Sequence, residues 1–231
     1  MRKRRPILIV TLGGTVEAID SVRVLTNLSR GGLGRVIVEK ALARGLYVHA
    51  LVSVLATPPA PHERLTIERF TSARDLGAKL RAQIIRDDAA AVTVAMAAAV
   101  SDYRPERASG GKISSAPTTR LLRLVRNPKL VDAIHRWRPD ARLISFKLVG
   151  PKVSNTELLA KAARQRERTR SVAVVANRWP SATEHRAWLV TAETSRVLRG
   201  RDAIATAVVD LAQQATPATS ARGQNQKRPA S

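Results

Sequence analysis

The chain has 231 residues, a net charge of +22, 3% aromatic residues and no cysteine. The absence of cysteine excludes disulfides, cysteine-based zinc sites and a catalytic thiol, and a chain of this length builds a core without such staples. The histidines, at 49, 62, 135 and 185, lack metal-ligand spacing, and the longest apolar run, Ala89 to Val100, falls short of the roughly 20 residues that a bilayer needs.

Residues 1–5 are a basic extension and 6–214 read as one domain. Met1 to Pro6 leads into apolar residues as a signal peptide would, but the stretch ends at Gly13-Gly14-Thr15-Val16-Glu17, not at a small-residue cleavage site. Ile7 to Leu12 therefore reads as a buried parallel strand, and the protein as cytoplasmic. Leu33 to Arg44 has helical spacing and stops at Gly45. Leu46 to Val54 and Leu65 to Phe70 read as strands, with a Pro58, Pro59, Pro61 turn between them, and Ser72 to Arg86 as a capped helix. Ala89 to Val100 reads as a long buried strand and Ser101 to Pro117 as a mobile loop. A strand is expected over Thr119 to Val125 and a helix from Pro128 to about His135, with proline in the first turn.

Arg142 to Leu148, Asn155 to Arg168 and Ser171 to Ala176 continue as strand, helix and strand. Arg186 to Val190 and Thr194 to Val197 form a small hairpin, and Asp202 to Gln214 closes the domain as an amphipathic helix. Residues 215–231 are polar and basic without an apolar period and read as a disordered tail. This alternation predicts an α/β fold: a Rossmann-like three-layer αβα sandwich with a mostly parallel central sheet, plus a small β-hairpin elaboration. Ligands of such sheets bind at the carboxyl ends of the strands.

The unusual residues fall at those ends. Gly13 and Gly14 follow the first strand and either let the backbone approach a ligand or make a tight turn. Ser29, Gly31 and Gly34 open the first helix, where free N–H groups suit a phosphate. Arg23 can hold an anion or pair with Asp20, and Asn27 can donate to an oxyanion or simply form a turn. Met96-Ala97-Ala98-Ala99 leaves room for a flat ligand. Asp102 can meet a ribose hydroxyl, a base amine or a cation, or cap the chain. Lys112, in a Gly/Ser-rich loop, is either a solvated charge or a cation that closes over a polyphosphate.

Gly13 to Gly34, Ala97 to Arg104, Lys112-Ile113, Arg126-Asn-Pro-Lys-Leu130, Ser145-Phe-Lys-Leu148 and Val175-Ala-Asn177 together resemble the signature of the phosphopantothenoylcysteine synthetases (phosphopantothenate–cysteine ligases). The resemblance runs from about residue 5 to 213. The wording Phe146-Lys147-Leu148 is similar to the stand-alone form, without the flavin-dependent decarboxylase half, so no flavin is expected.

The resemblance implies that a nucleoside triphosphate, ATP or CTP, with Mg²⁺ brought on its phosphates, activates the carboxylate of 4′-phosphopantothenate. Cysteine then takes the acyl group. It assigns Asn27 and the Ala99 N–H to the oxyanion, Arg23 to the pantothenate side and Lys112 to the triphosphate. Met96, Ala97, Ala98, Asp102, Pro128, Lys129, Leu130, Val131, Phe146 and Arg168 would surround the nucleotide. The residues themselves, rather than the resemblance, give Ser29, Gly31 and Gly34 to the 4′-phosphate, and Gly13, Gly14 and Thr15 are placed with them at phosphopantothenate. The resemblance also implies a homodimer with composite sites, in which Asn27 or Lys112 serves the neighbouring subunit. Arg30 and Arg178 depart from the pattern, where a small residue and Asp are usual, and put the substrate detail in question.

Two other readings compete. A nicotinamide-dependent reductase needs a full glycine fingerprint, but Ser29 takes the first glycine's place and the second strand ends in Leu51-Val-Ser-Val54 with no acid. A nucleic-acid-binding protein rests on the charge alone, with few aromatics to stack on bases.

Overall fold

The computed structural model describes residues 5–86, 89–179 and 185–214; the basic residues 1–4 and the tail at 215–231 lie outside them. The opening apolar run forms β1 (Arg5–Leu12), buried from Leu8 onward. Next come β2 (Val16–Ala18) and β3 (Val24–Thr26), an antiparallel pair. They lie in a stretch read from sequence as glycine-rich loop, because three residues are too few to show a period. Helix α1 (Gly32–Ala43) buries Gly34, Ile37, Val38 and Ala41, one face at helical spacing. It is followed by β4 (Tyr47–Ser53), β5 (Leu65–Phe70) and α2 (Ala73–Ile84). The side chain of Ser72 caps α2 by accepting from the Asp75 N–H.

Strand β6 (Ala89–Met96) stops short of the expected Val100. The Ala97 N–H turns back to the Ala95 carbonyl, while the N–H groups of Ala98 and Ala99 go to Thr11 Oγ1 and the Gly13 carbonyl. The expected loop from Ser101 contains β7 (Tyr103–Pro105), paired with β8 (Leu124–Arg126), to which the strand expected over Thr119 to Val125 shrinks. The helix expected from Pro128 starts as a 3₁₀ turn at Leu130–Asp132 and continues as α3 (Ile134–Trp137). Then follow β9 (Arg142–Val149), α4 (Asn155–Thr169), β10 (Ala173–Arg178), β11 (Arg186–Val190), β12 (Ser195–Arg199) and α5 (Gly200–Gln213).

The main sheet has the order β12-β11-β10-β9-β6-β1-β4-β5. Its neighbours are parallel except at β10–β11 and β11–β12. The late hairpin, expected as an appendage, thus continues the main sheet to its edge. Helices α1 and α5 cover one face, packing on Val10, Leu12 and Val175. Helices α2 and α3 cover the other, on Ile9, Val94 and Leu143, and α4 joins them on that face over Val174 and Ala176. From β1 the chain runs out through β4 and β5, then returns to β1's other side as β6. The carboxyl ends of β1 and β6 flank that switch point, where sheets of this kind bind their ligands.

Candidate functional site

A cleft of about 1120 Å³ opens at the switch point. The segment Gly13–Thr15 lies beneath it and joins its two rims. The Gly14 N–H donates to the Ser29 carbonyl (3.0 Å) and the Thr15 N–H to the Ala99 carbonyl (3.2 Å), while the Gly14 carbonyl accepts from Ser53 Oγ (2.6 Å). Thr15 is fully buried; its hydroxyl accepts from the Ser101 N–H and its carbonyl from Thr26 Oγ1. Gly13 has φ 91° and presses on Ser53 and Ala56, where an added Cβ would lie 2.5 Å from the Ser53 Cβ. Gly13, Gly14 and Thr15 do not line the cleft. Most of their polar groups are taken up by neighbouring backbone and by the Ser53 and Thr26 hydroxyls, a structural task that stands beside the contact with phosphopantothenate expected of them. Gly34 has a packing task as well: its missing side chain lets α1 sit on β1, since a Cβ would come 2.4 Å from that of Leu12.

Other expected residues do meet in the cleft. Asn27, Ser29 and Gly31 line one rim, Met96 to Asp102 the floor and Pro128 to Val131, Phe146 and Arg168 the opposite wall. Asn27 Nδ2 donates to the Ala99 carbonyl at 3.0 Å, which leaves its second amide hydrogen and its oxygen toward the cleft. The Ala99 N–H donates to Gly13 at 2.9 Å and is therefore spent, contrary to its expected part in the oxyanion site. Gly31, at φ 77°, precedes α1, whose first turn has neither a side-chain cap nor an acidic residue. Its N–H groups stay available to an anion.

Charge is the cleft's dominant property. Arg30, Arg35 and Arg201 stand around the start of α1, Lys129, Lys147 and Arg168 on the opposite wall, and Arg186 stacks on Trp188 (4.9 Å). Among the described residues Asp102 is the single carboxylate in the lining, and Lys129 holds it at 2.5 Å. His185 is shifted below its ordinary pKa, first by burial and then by Arg201. Sequence reasoning passed over Lys147, Arg35 and Arg201. Lys147 stood within the Ser145-Phe-Lys-Leu148 motif without a role of its own, and Arg35 and Arg201 lie in the first turns of α1 and α5. Among the described residues no three His, Cys, Asp or Glu side chains gather to hold a metal ion.

Arg23 and Lys112 lie outside the cleft lining. Arg23 pairs with Asp20 (2.5 Å) and donates to the Ile113 carbonyl (3.2 Å), the alternative left open for it from sequence. Asp20 is the hub of this arm: Oδ1 accepts from the N–H groups of Val22 and Arg23, and Oδ2 from that of Ile113. Desolvation opposes the carboxylate, but those N–H donors and the Arg23 guanidinium outweigh it and hold its pKa well below the usual range. Lys112, exposed, is therefore carried on a pinned segment rather than on a free loop. The buried Glu17, also missed, accepts from the Ala73 N–H at the start of α2 (2.8 Å) and lies 3.5 Å from Asn127 Nδ2. Arg178 turns from the cleft to bond the Val153 carbonyl (2.6 Å) and Asn155 Oδ1 (2.7 Å). It fixes the approach to α4, whereas Arg30 lines the cleft and Asn177 lines it beside the turned-away Arg178.

Sheet order, switch point and cleft define a Rossmann-like α/β sandwich with a site built for anionic ligands. Residues 3–214 match the DNA/pantothenate metabolism flavoprotein C-terminal domain family, and the chain belongs to it. It is 32% identical over 173 residues to the coenzyme A biosynthesis bifunctional protein CoaBC of Thermococcus kodakarensis, covering 74% of this chain and 40% of that protein. Identity to the CoaBC of Methanocaldococcus jannaschii is 32% over 151 residues, covering 64% and 34%. The chain thus spans well under half the length of these relatives. The crystal structure of the DNA/pantothenate metabolism flavoprotein from Streptococcus pneumoniae superposes with a TM-score of 0.81 at 29% identity, over 91% of this chain and 99% of that one. Membership leaves the reductase and nucleic-acid readings unfavoured. Among the described residues no helix is long and apolar enough to cross a membrane.

Proposed function

We propose that the chain is a phosphopantothenate–cysteine ligase of coenzyme A biosynthesis, acting through a single synthetase domain over residues 6–214. The carrying observation is the cleft at the strand carboxyl ends, where, among the described residues, seven lysines and arginines face one carboxylate. A carboxylate and a triphosphate repel each other, and a cationic cleft removes that barrier to their encounter. In the first step a carboxylate oxygen of 4′-phosphopantothenate attacks the α-phosphorus of ATP or CTP, the bond to the β-phosphate breaks and pyrophosphate leaves. In the second the amine of cysteine attacks the acyl carbon, loses a proton and displaces the nucleoside monophosphate. No flavin takes part. Mg²⁺, carried on the phosphates, would supply further neutralisation, with Asp102 the carboxylate within the lining.

Asn27 would donate to the oxyanion with the amide hydrogen that the Ala99 carbonyl does not use. Ser29 and the open first turn of α1 would take the 4′-phosphate. Met96 to Ala98, Asp102, Pro128 to Val131, Phe146 and Arg168 would enclose the nucleotide. Arg23 and Lys112 stand on an arm off their own cleft, with Val22, Val24, Leu121 and Leu124 exposed along it. That placement supports a homodimer in which the arm completes the second copy's site. A cytoplasmic setting belongs to the same reading. The test is pyrophosphate release with ATP or CTP. Release that requires 4′-phosphopantothenate, followed by cysteine-dependent monophosphate release, is expected; folded protein that releases none with either nucleotide would overturn the proposal.

A further inference from the structure

Lys147 lies next to Phe146 near the end of β9 but, by the alternation of a strand, on the opposite face, toward α4. It lines the cleft, and the charged groups within electrostatic reach are Lys129, Asp102, Lys161 and Arg168. Each of the other cations has a carboxylate of its own: Lys129 has Asp102, Lys161 has Glu157 and Arg168 has Asp132. Lys147 has neither an ion-pair partner nor a hydrogen bond among the described residues. With its three cationic neighbours already paired, Lys147 is the uncompensated charge of this wall and suits an incoming anion. Gln165 fixes the wall behind it, donating to Ser145 Oγ (3.0 Å) and to the Phe146 carbonyl (3.1 Å). The strand that carries Lys147 is thus braced beside the cleft, whereas Lys112 lies outside this lining.

We propose that Lys147 binds the phosphate chain of the nucleoside triphosphate from within its own chain, as a cation of the cleft wall that aligns it for loss of pyrophosphate. This rests on the nucleotide reading of the cleft. Burial lowers the Lys147 pKa from its ordinary value, with Lys129, Lys161 and Arg168 adding to the effect and Asp102 opposing it. A polyanion reverses that balance, so it binds with proton uptake and its affinity falls as pH rises.

The experiment compares wild type, Lys147→Met and Lys147→Arg by steady-state pyrophosphate release and by calorimetric binding of inorganic pyrophosphate from pH 7 to 10. A charge-assisted contact of this kind predicts a KM for nucleotide raised about tenfold to a hundredfold in Lys147→Met. The KM for 4′-phosphopantothenate should stay within about twofold, and Lys147→Arg should recover most of the loss. Pyrophosphate affinity should fall more steeply with pH in wild type than in Lys147→Arg; ionisation of pyrophosphate is common to both and cancels. An unchanged nucleotide KM in Lys147→Met, or a rise in the phosphopantothenate KM instead, overturns the proposal. If Lys147→Met does not fold, parallel pH profiles of wild type and Lys147→Arg overturn it. A wild type without nucleotide-dependent turnover that still binds pyrophosphate with this pH difference would sink the ligase reading and leave the anion site standing.

Discussion

The β2–β3 arm and the cleft both carry motif residues, yet they treat charge in opposite ways. In the arm, Asp20 is enclosed by three backbone N–H groups and Arg23, so each of its oxygens has partners. In the cleft, among the described residues, seven cations face one acid and Lys147 has no counter-ion. A closed set of donors and acceptors builds structure; an open set awaits a ligand. The same contrast separates Gly34, whose missing side chain is filled by Leu12, from Gly31, which sits at an open helix start.

The largest expected effect breaks the open side of this contrast. Asn27→Asp replaces the amide donor by a carboxylate set against the Ala99 carbonyl, so ligase turnover should fall by about 10² to 10³, the usual cost of losing an oxyanion donor. The thermal midpoint should move little, since the residue is exposed. An unimpaired kcat would remove Asn27 from the mechanism. A smaller effect is expected on the closed side. Gly34→Ala forces a Cβ to 2.4 Å from that of Leu12 and should destabilise the fold by about 1–3 kcal/mol in denaturant unfolding. Gly111→Ala, with nothing within 4 Å, should change stability by less than about 0.5 kcal/mol. Loss of activity at unchanged stability in Gly34→Ala would place that glycine at the phosphate site instead.

The smallest effect concerns the clasp. Because the Asp20 pKa is depressed in the fold, what it contributes is present above its unfolded value near ~3.9 and lost as pH falls further. At pH 8, Asp20→Asn should mimic that loss, and trypsin should cleave between Arg107 and Arg123 several times faster than in wild type. Equal rates would mean that Ile113 is held by something else.

Much of this was legible beforehand. The runs around Ile9, Leu51 and Val94 are long and apolar enough to read as central strands, and α1 shows its buried face by spacing alone. The site was legible only in part. Sequence order shows which residues are present, but not which polar groups the backbone has already consumed. Ala99 and Thr15 therefore read as ligand contacts with no sign of their partners in the fold. Glu17 and Asp20 look like surface acids, because burial of a carboxylate depends on donors that arrive from Ala73 and Ile113, distant in the chain. Lys147 was hidden for the converse reason: what distinguishes it is a missing partner, which no local pattern encodes.

The order of the main sheet leaves β12 as an open edge, and two of its five residues, Arg196 and Arg199, are arginine. A strand edge with unpaired backbone groups invites another copy to add to it, and like charges brought opposite each other discourage that addition. Part of the excess positive charge therefore has an expected use unrelated to substrate: repulsion at this edge should oppose sheet-to-sheet addition in concentrated protein.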